Sequence, residues 1–177
     1  MKKTVMILAH PNLDNSIANK VIAEEVSKLE NVEVRDIAKL YPDFNIDVNA
    51  EQESLLNAER IIFQYPMYWY NMPPILKQWF DQVLSYGFAY GEGTYKLEGK
   101  EFMVSITTGG PEEQYSGGVL DSKILYSMEE GIAGFCKMKY LSPMALQGIM
   151  VMPGMDTSPF VSKAQEHAKK VIETITN

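Results

Sequence analysis

The apolar run Ile61-Ile62-Phe63 leads directly into Pro66-Met67-Tyr68-Trp69-Tyr70-Asn71-Met72-Pro73-Pro74. No other part of the chain constrains the fold as strongly. A buried strand ends, a loop with three aromatics follows, and two prolines open a helix where a missing N–H costs nothing. The helix is amphipathic: Ile75, Leu76, Trp79, Phe80, Val83 and Leu84 recur at helical spacing. Trp79 on that stripe is read as buried core. In an open α/β sheet, ligands bind beyond the carboxyl ends of the strands. An aromatic loop there suits a flat, conjugated ligand. The same aromatics would equally pack against the core or a partner subunit.

Similar units recur along the chain. Val5 to Ala9 forms a first strand, and a helix from about Ser16 to Glu30 carries Ile17, Ala18, Val21, Ile22, Val26 and Leu29 on one face. Val32 to Ile37 alternates apolar and charged residues, as an edge strand does. Asp47 to Ala58 reads as a short acidic helix, Arg60 to Tyr65 as strand three and Phe102 to Thr107 as strand four. A helix around Leu120 to Phe135, a strand within Met144 to Met152 and a last helix from Ser162 follow. Gln165 three residues on gives that last helix a capping box, and His167 is assigned to its solvated side. Five strands with right-handed crossovers predict a three-layer α/β sandwich with a parallel sheet of order 2-1-3-4-5, in one domain spanning residues 1–177. The one long irregular insertion is 86–100; loops of that length are commonly functional.

Composition narrows the function. The 177 residues carry a net charge of −7, so the broad basic surface that binds phosphate backbones is missing and nucleic acid is not expected as a partner. A lone cysteine, Cys136, allows no intrachain disulfide or thiolate metal site; it is read as a small core residue. With only His10 and His167 as histidines, a metal hydrolase is set aside. The apolar run Val5 to Ala9 is shorter than a secretory core, and no run approaches a membrane span of about 18 residues. A cytoplasmic protein is expected.

In the predicted sheet order, the loops after strands one, three and four meet at one end. In the first, His10 to Asn19, Ser16 can cap the helix, and the free N–H groups of the first turn suit an anion. With no Lys or Arg before Lys20, a phosphate would be held by amides, hydroxyls and His10. An ordinary serine cap explains the loop equally well when it is taken alone. In the third loop, Thr107-Thr108-Gly109-Gly110, paired glycines let backbone N–H groups approach a polar edge, or simply make a tight turn. No Gly-x-Gly-x-x-Gly or Walker loop is present. A phosphate pocket, an aromatic wall and a glycine-lined edge on one rim describe a flavin mononucleotide site.

Several stretches together resemble the quinone-reductase branch of the flavodoxin-like superfamily, the NAD(P)H:quinone oxidoreductases. They are Ala9-His10-Pro11 with Ser16 and Asn19; Pro66-Met67-Tyr68-Trp69 running into Pro73-Pro74, Lys77 and Trp79; Gly87-Phe88-Ala89-Tyr90-Gly91; and Thr107-Thr108-Gly109-Gly110. The resemblance spans essentially the whole chain. It is nearest to small bacterial members, which include ancillary flavoproteins of glutathione-gated potassium efflux systems.

The resemblance implies FMN as cofactor, held by His10, Ser16, Ile17, Ala18 and Asn19 at the phosphate and ribityl chain. Pro66, Met67, Tyr68 and Trp69 would flank the ring, and Thr107, Thr108, Gly109 and Gly110 would bond its pyrimidine edge. Tyr115 would help stabilise charge on the reduced ring. The family's mammalian members carry a histidine where this chain has Asp121. The implied reaction is a ping-pong hydride relay from NADH or NADPH to a quinone-like acceptor. A homodimer is also implied, with Tyr68 and the aromatics of Tyr86 to Tyr90 as interface material. Two other classes compete. A one-electron flavodoxin is disfavoured because the Thr/Gly-rich phosphate loop of that group is missing. An FMN-binding regulatory subunit docked on a membrane transporter stays open.

Overall fold

The computed structural model describes residues 1–177. Strands β1 (Thr4–Leu8), β2 (Val32–Asp36), β3 (Arg60–Pro66), β4 (Glu101–Thr107) and β5 (Lys139–Tyr140) form a parallel sheet of order β2-β1-β3-β4-β5, and β6 (Met144–Leu146) also pairs with β4. The predicted order holds, with a sixth strand added. The last position of the sheet is filled in two pieces. β5 pairs with Glu101 and Phe102, and β6 with Ser105 to Thr107. Pro143 lies between them, and a residue without an N–H interrupts a ladder.

Helices α1 (Ala18–Val26), α2 (Ile37–Leu40), α3 (Val48–Asn57), α4 (Pro74–Val83) and α5 (Ser158–Thr176) cover the sheet. Every residue of β1, β3 and β4 is buried, whereas β2 is half-exposed, as continuous apolar runs and an alternating edge dictate. On one face Met6, Ile62 and Met103 pack against Ala18, Ile22 and Val26 of α1 and Ala164, Ala168, Val171 and Ile175 of α5. On the other, Phe63 and Phe102 meet Leu76, Trp79 and Phe80 of α4. Trp79 is fully buried and Cys136 nearly so, as read from the sequence.

The second core also holds a buried carboxylate. Glu51 Oε1 accepts from Arg35 Nε at 2.9 Å, Arg35 Nη2 at 2.6 Å and the Tyr41 hydroxyl at 2.6 Å, while Oε2 accepts from Trp79 Nε1 at 2.8 Å. Burial and this carboxylate push the Tyr41 hydroxyl up to about 12.

Three expectations need correction. The last helix starts at Ser158, not Ser162, because Pro159 occupies its first turn; Ser162 lies inside and donates its hydroxyl to the Ser158 carbonyl at 3.2 Å. His167 is not solvated: it is buried, and its Nε2 lies 2.8 Å from Ser105 Oγ. The segment 119–134 is not one α-helix but two π-helical pieces, Val119–Ile124 and Ser127–Gly134. No helix is long and apolar enough to cross a membrane.

Candidate functional site

β1, β3 and β4 are neighbours, so the chain segments leaving their carboxyl ends meet in space. They enclose a cleft of about 440 Å3 lined by His10, Ser16, Ile17, Ala18 and Asn19 from the first, Pro66, Met67 and Tyr68 from the second, and Thr107, Thr108 and Gly109 from the third. A volume of this size is typical of a small-ligand site. Trp69, Gly110 and Tyr115 are outside the lining. Trp69 is 94% exposed. Tyr115 is buried, and a Cβ built on Gly110 would stand 2.7 Å from its hydroxyl. The Tyr115 hydroxyl therefore packs against the glycine loop.

The floor of the cleft is the start of α1. Ser16 Oγ accepts the backbone N–H of Asn19 at 3.2 Å, the capping bond expected of this serine. The Ile17 N–H bonds to no protein acceptor, and neither do those of Gly109 and Gly110. Free donors at a helix start, with the positive end of the helix dipole behind them, favour an anion. His10 adds to them. Burial holds its pKa below 6.5, and its Nδ1 accepts the Asn12 N–H at 3.1 Å. That leaves the ring neutral with its proton on Nε2. No Lys or Arg lines the cleft. The donor set therefore fits a phosphate recognised by geometry rather than by ion pairing.

The second segment reverses tightly. Tyr68 and Asn71 exchange backbone hydrogen bonds at 2.9 and 3.0 Å. The residues between them, Trp69 (φ 48°) and Tyr70 (φ 62°), both take left-handed backbone angles. Glycine and asparagine are the usual occupants of such positions. The reversal turns two large aromatics out to solvent next to Tyr68 of the cleft wall.

Three features of the site escaped the sequence reading. Ile149 and Val151 form a fourth wall, brought in because the Ile149 and Gly148 N–H groups bond the carbonyls of Thr108 and Gly110, both at 2.8 Å. Gln64, fully buried on β3, donates from Nε2 to Asn19 Oδ1 at 2.9 Å. An uncharged polar residue inside the apolar run of β3 was the available signal. The buried pair of Ser105 and His167 lies on the same sheet face, with Ser105 beside Gln64 in register.

A separate hollow of about 630 Å3 lies between α4 and the second π-helical piece, lined by Met72, Phe80, Leu84, Ile132, Phe135 and others. Tyr86, Tyr126 and Phe135 are exposed, and the Phe135 ring lies tilted against Tyr90 with centroids 5.1 Å apart.

Comparison with known proteins places these features in context. A family model described as flavodoxin-like fold matches residues 2–172. The glutathione-regulated potassium-efflux system ancillary protein KefF of Salmonella typhimurium is 40% identical over 169 residues, covering 95% of this chain and 94% of that protein. The structure of general stress protein 14 from Treponema denticola, in complex with FMN, superposes with a TM-score of 0.85 at 29% identity, covering 98% of each chain. An NADPH-quinone reductase from P. pentosaceus superposes with a TM-score of 0.74 at 30% identity, covering 93% of this chain and 97% of that one.

Proposed function

Because the chain belongs to the flavodoxin-like fold family, we propose that it is an FMN-dependent NAD(P)H:quinone oxidoreductase that passes two electrons to its acceptor as a hydride. The observation that carries this reading is the cleft: free N–H groups and a serine cap at the start of α1, beside Met67 and Tyr68 and the glycine pair. The likeness to an FMN complex and to a quinone reductase supports it.

Bound FMN supplies the centre that accepts and donates hydride. The protein binds and orients it. The Ile17 N–H, the Ser16 hydroxyl and His10 Nε2–H would hold the phosphate. Pro66, Met67 and Tyr68 would wall one side of the ring. The free N–H group of Gly109 in the cleft wall would bond the polar edge of the ring. Tyr115 braces the glycine loop through its contact at Gly110. Asp121 is exposed in the first π-helical piece. A carboxylate there would supply no hydrogen-bond donor for the ring, whereas the Gly109 amide would.

The outward aromatics Tyr86, Tyr126 and Phe135 around the apolar hollow fit a homodimer interface. Sedimentation of the purified protein tests this: a monomer at every concentration contradicts it. Function is tested by FMN-reconstituted protein oxidising NADH or NADPH with a benzoquinone as acceptor. Turnover that requires both FMN and quinone is expected; no quinone-dependent oxidation refutes the enzyme reading.

A second reading is favoured by the 40% identity to a potassium-efflux ancillary protein: the chain would act as an FMN-binding regulatory subunit of such a transporter. Stable co-purification with a potassium-efflux transporter, together with altered ion flux, would support this role.

A further inference from the structure

Methionine is unevenly exposed in this protein. Of the 11 methionines, four stand in solvent: Met1, Met150, Met152 and Met155. Met6, Met103, Met128 and Met138 are buried in the core. Three of the four exposed thioethers therefore fall on one short segment, the one that supplies Ile149 and Val151 to the cleft.

Backbone bonds tie the start of this segment to the glycine loop. The Thr108 N–H donates to the Leu146 carbonyl at 2.9 Å, and the Gly148 and Ile149 N–H groups donate to the Gly110 and Thr108 carbonyls at 2.8 Å. Beyond Ile149 the segment makes no further backbone bond to the loop. Packing takes over there. A Cβ built on Gly109 would stand 3.6 Å from Met150 Cε, so the Met150 methyl rests against this glycine. Met150 itself is outside the cleft lining and 60% exposed.

The sulfurs differ in their surroundings. Met155 Sδ accepts the Met152 N–H at 3.3 Å, inside a turn that the Met155 N–H closes on the Met152 carbonyl at 3.1 Å. The Met150 sulfur accepts no hydrogen bond, so its lone pairs stay available to an oxidant. Hydrogen peroxide oxidises such a thioether in one two-electron step. The sulfur attacks one peroxide oxygen, and the O–O bond breaks as the S–O bond forms. The proton on the transferred oxygen passes to the departing hydroxide, which leaves as water. The sulfoxide is polar where the thioether was apolar, and methionine sulfoxide reductases reverse the change.

We propose that Met150 is a peroxide-modification site that controls the cleft: its sulfoxide gives up the methyl contact on Gly109 and loosens the Ile149–Val151 wall from the glycine loop. The loosening is a property of the protein alone; its effect on flavin binding rests on the FMN reading above. Loss of one apolar methyl contact corresponds to about fourfold in an equilibrium constant.

The test treats flavin-free protein with dilute hydrogen peroxide and locates the added oxygen by peptide mass. Met150 should be oxidised ahead of Met155 and of the buried methionines. Hydrogen exchange at the Gly148 and Ile149 amides should then quicken about fourfold, and FMN affinity, read by fluorescence quenching, should fall by a similar factor. Methionine sulfoxide reductase should restore both. Met150→Leu keeps the bulk without the sulfur and should hold both readouts level under peroxide. Met150→Gln, a polar chain of similar length, should reproduce the loosening without peroxide. A Met150 that stays reduced while Met155 is oxidised overturns the inference. So does amide exchange or FMN affinity unmoved by Met150 oxidation, or equal peroxide sensitivity in Met150→Leu. Untreated protein that binds no FMN refutes the FMN reading instead, and amide exchange then decides the Met150 inference by itself.

Discussion

His167 on α5 and Ser105 on β4 meet inside the protein, Nε2 to Oγ at 2.8 Å, although 62 residues separate them in the chain. Burial, with a smaller contribution from the Lys170 charge, pushes the His167 pKa down from 6.5 to about 4. The folded protein therefore holds the imidazole neutral over a range where the unfolded chain takes up a proton. Stability is full above pH 6.5 and falls as the pH drops toward 4, by roughly 3 kcal/mol at the end of that range. Urea unfolding across this window should show the decline, and His167→Gln, which can still bond Ser105, should flatten it. An equal decline in His167→Gln would place the titrating group elsewhere.

Glu51 is fully buried and answers to Arg35, Tyr41 and Trp79. Removing one member of a buried charge pair leaves the other uncompensated, at a cost of about 3–5 kcal/mol. Glu51→Ala should be destabilised by that amount in chemical unfolding. Trp79→Phe, which takes away a single donor and little volume, should lose less, about 1–3 kcal/mol. A Glu51→Ala loss under 1 kcal/mol would mean the carboxylate is wet.

Trp69 combines a left-handed backbone with a side chain almost wholly in solvent. Strain of this kind amounts to about 1–3 kcal/mol and is retained where it serves function. Trp69→Gly should relieve the strain while loosening the unfolded chain, so its melting temperature should stay within a few degrees of wild type. Quinone turnover should fall, because the exposed aromatic beside Tyr68 of the cleft wall is lost. A large drop in melting temperature would show that the indole packs in solution.

Most of the framework was legible because burial leaves a plain signature in the sequence. The runs Val5 to Ala9 and Ile61 to Phe63 read as buried strands, and the alternation of Val32 to Arg35 suits an edge. Loop convergence followed from the sheet order, and eleven of the residues named from sequence do line the cleft. The misreadings have physical causes. His167 was judged by residue type, yet Ala164, His167, Ala168, Val171 and Ile175 form one helical stripe, so periodicity already placed it inside. Pro159 outranked Ser162 as the start of α5. Nothing in 119–134 distinguishes π from α periodicity. Ile149 and Val151 reach the cleft through backbone bonds to a loop some 40 residues earlier, a pairing that no local pattern encodes. Trp69 takes a left-handed backbone angle and stands in solvent outside the lining of the cleft.

The central claim is that the cleft between the ends of β1, β3 and β4 holds FMN. Titrating the flavin-free protein with FMN, followed by fluorescence quenching and the visible spectrum, tests it most directly. The account predicts saturation at one FMN for each chain, with binding weakened in Ser16→Ala. Absence of saturable binding, or affinity untouched by Ser16→Ala, would contradict it.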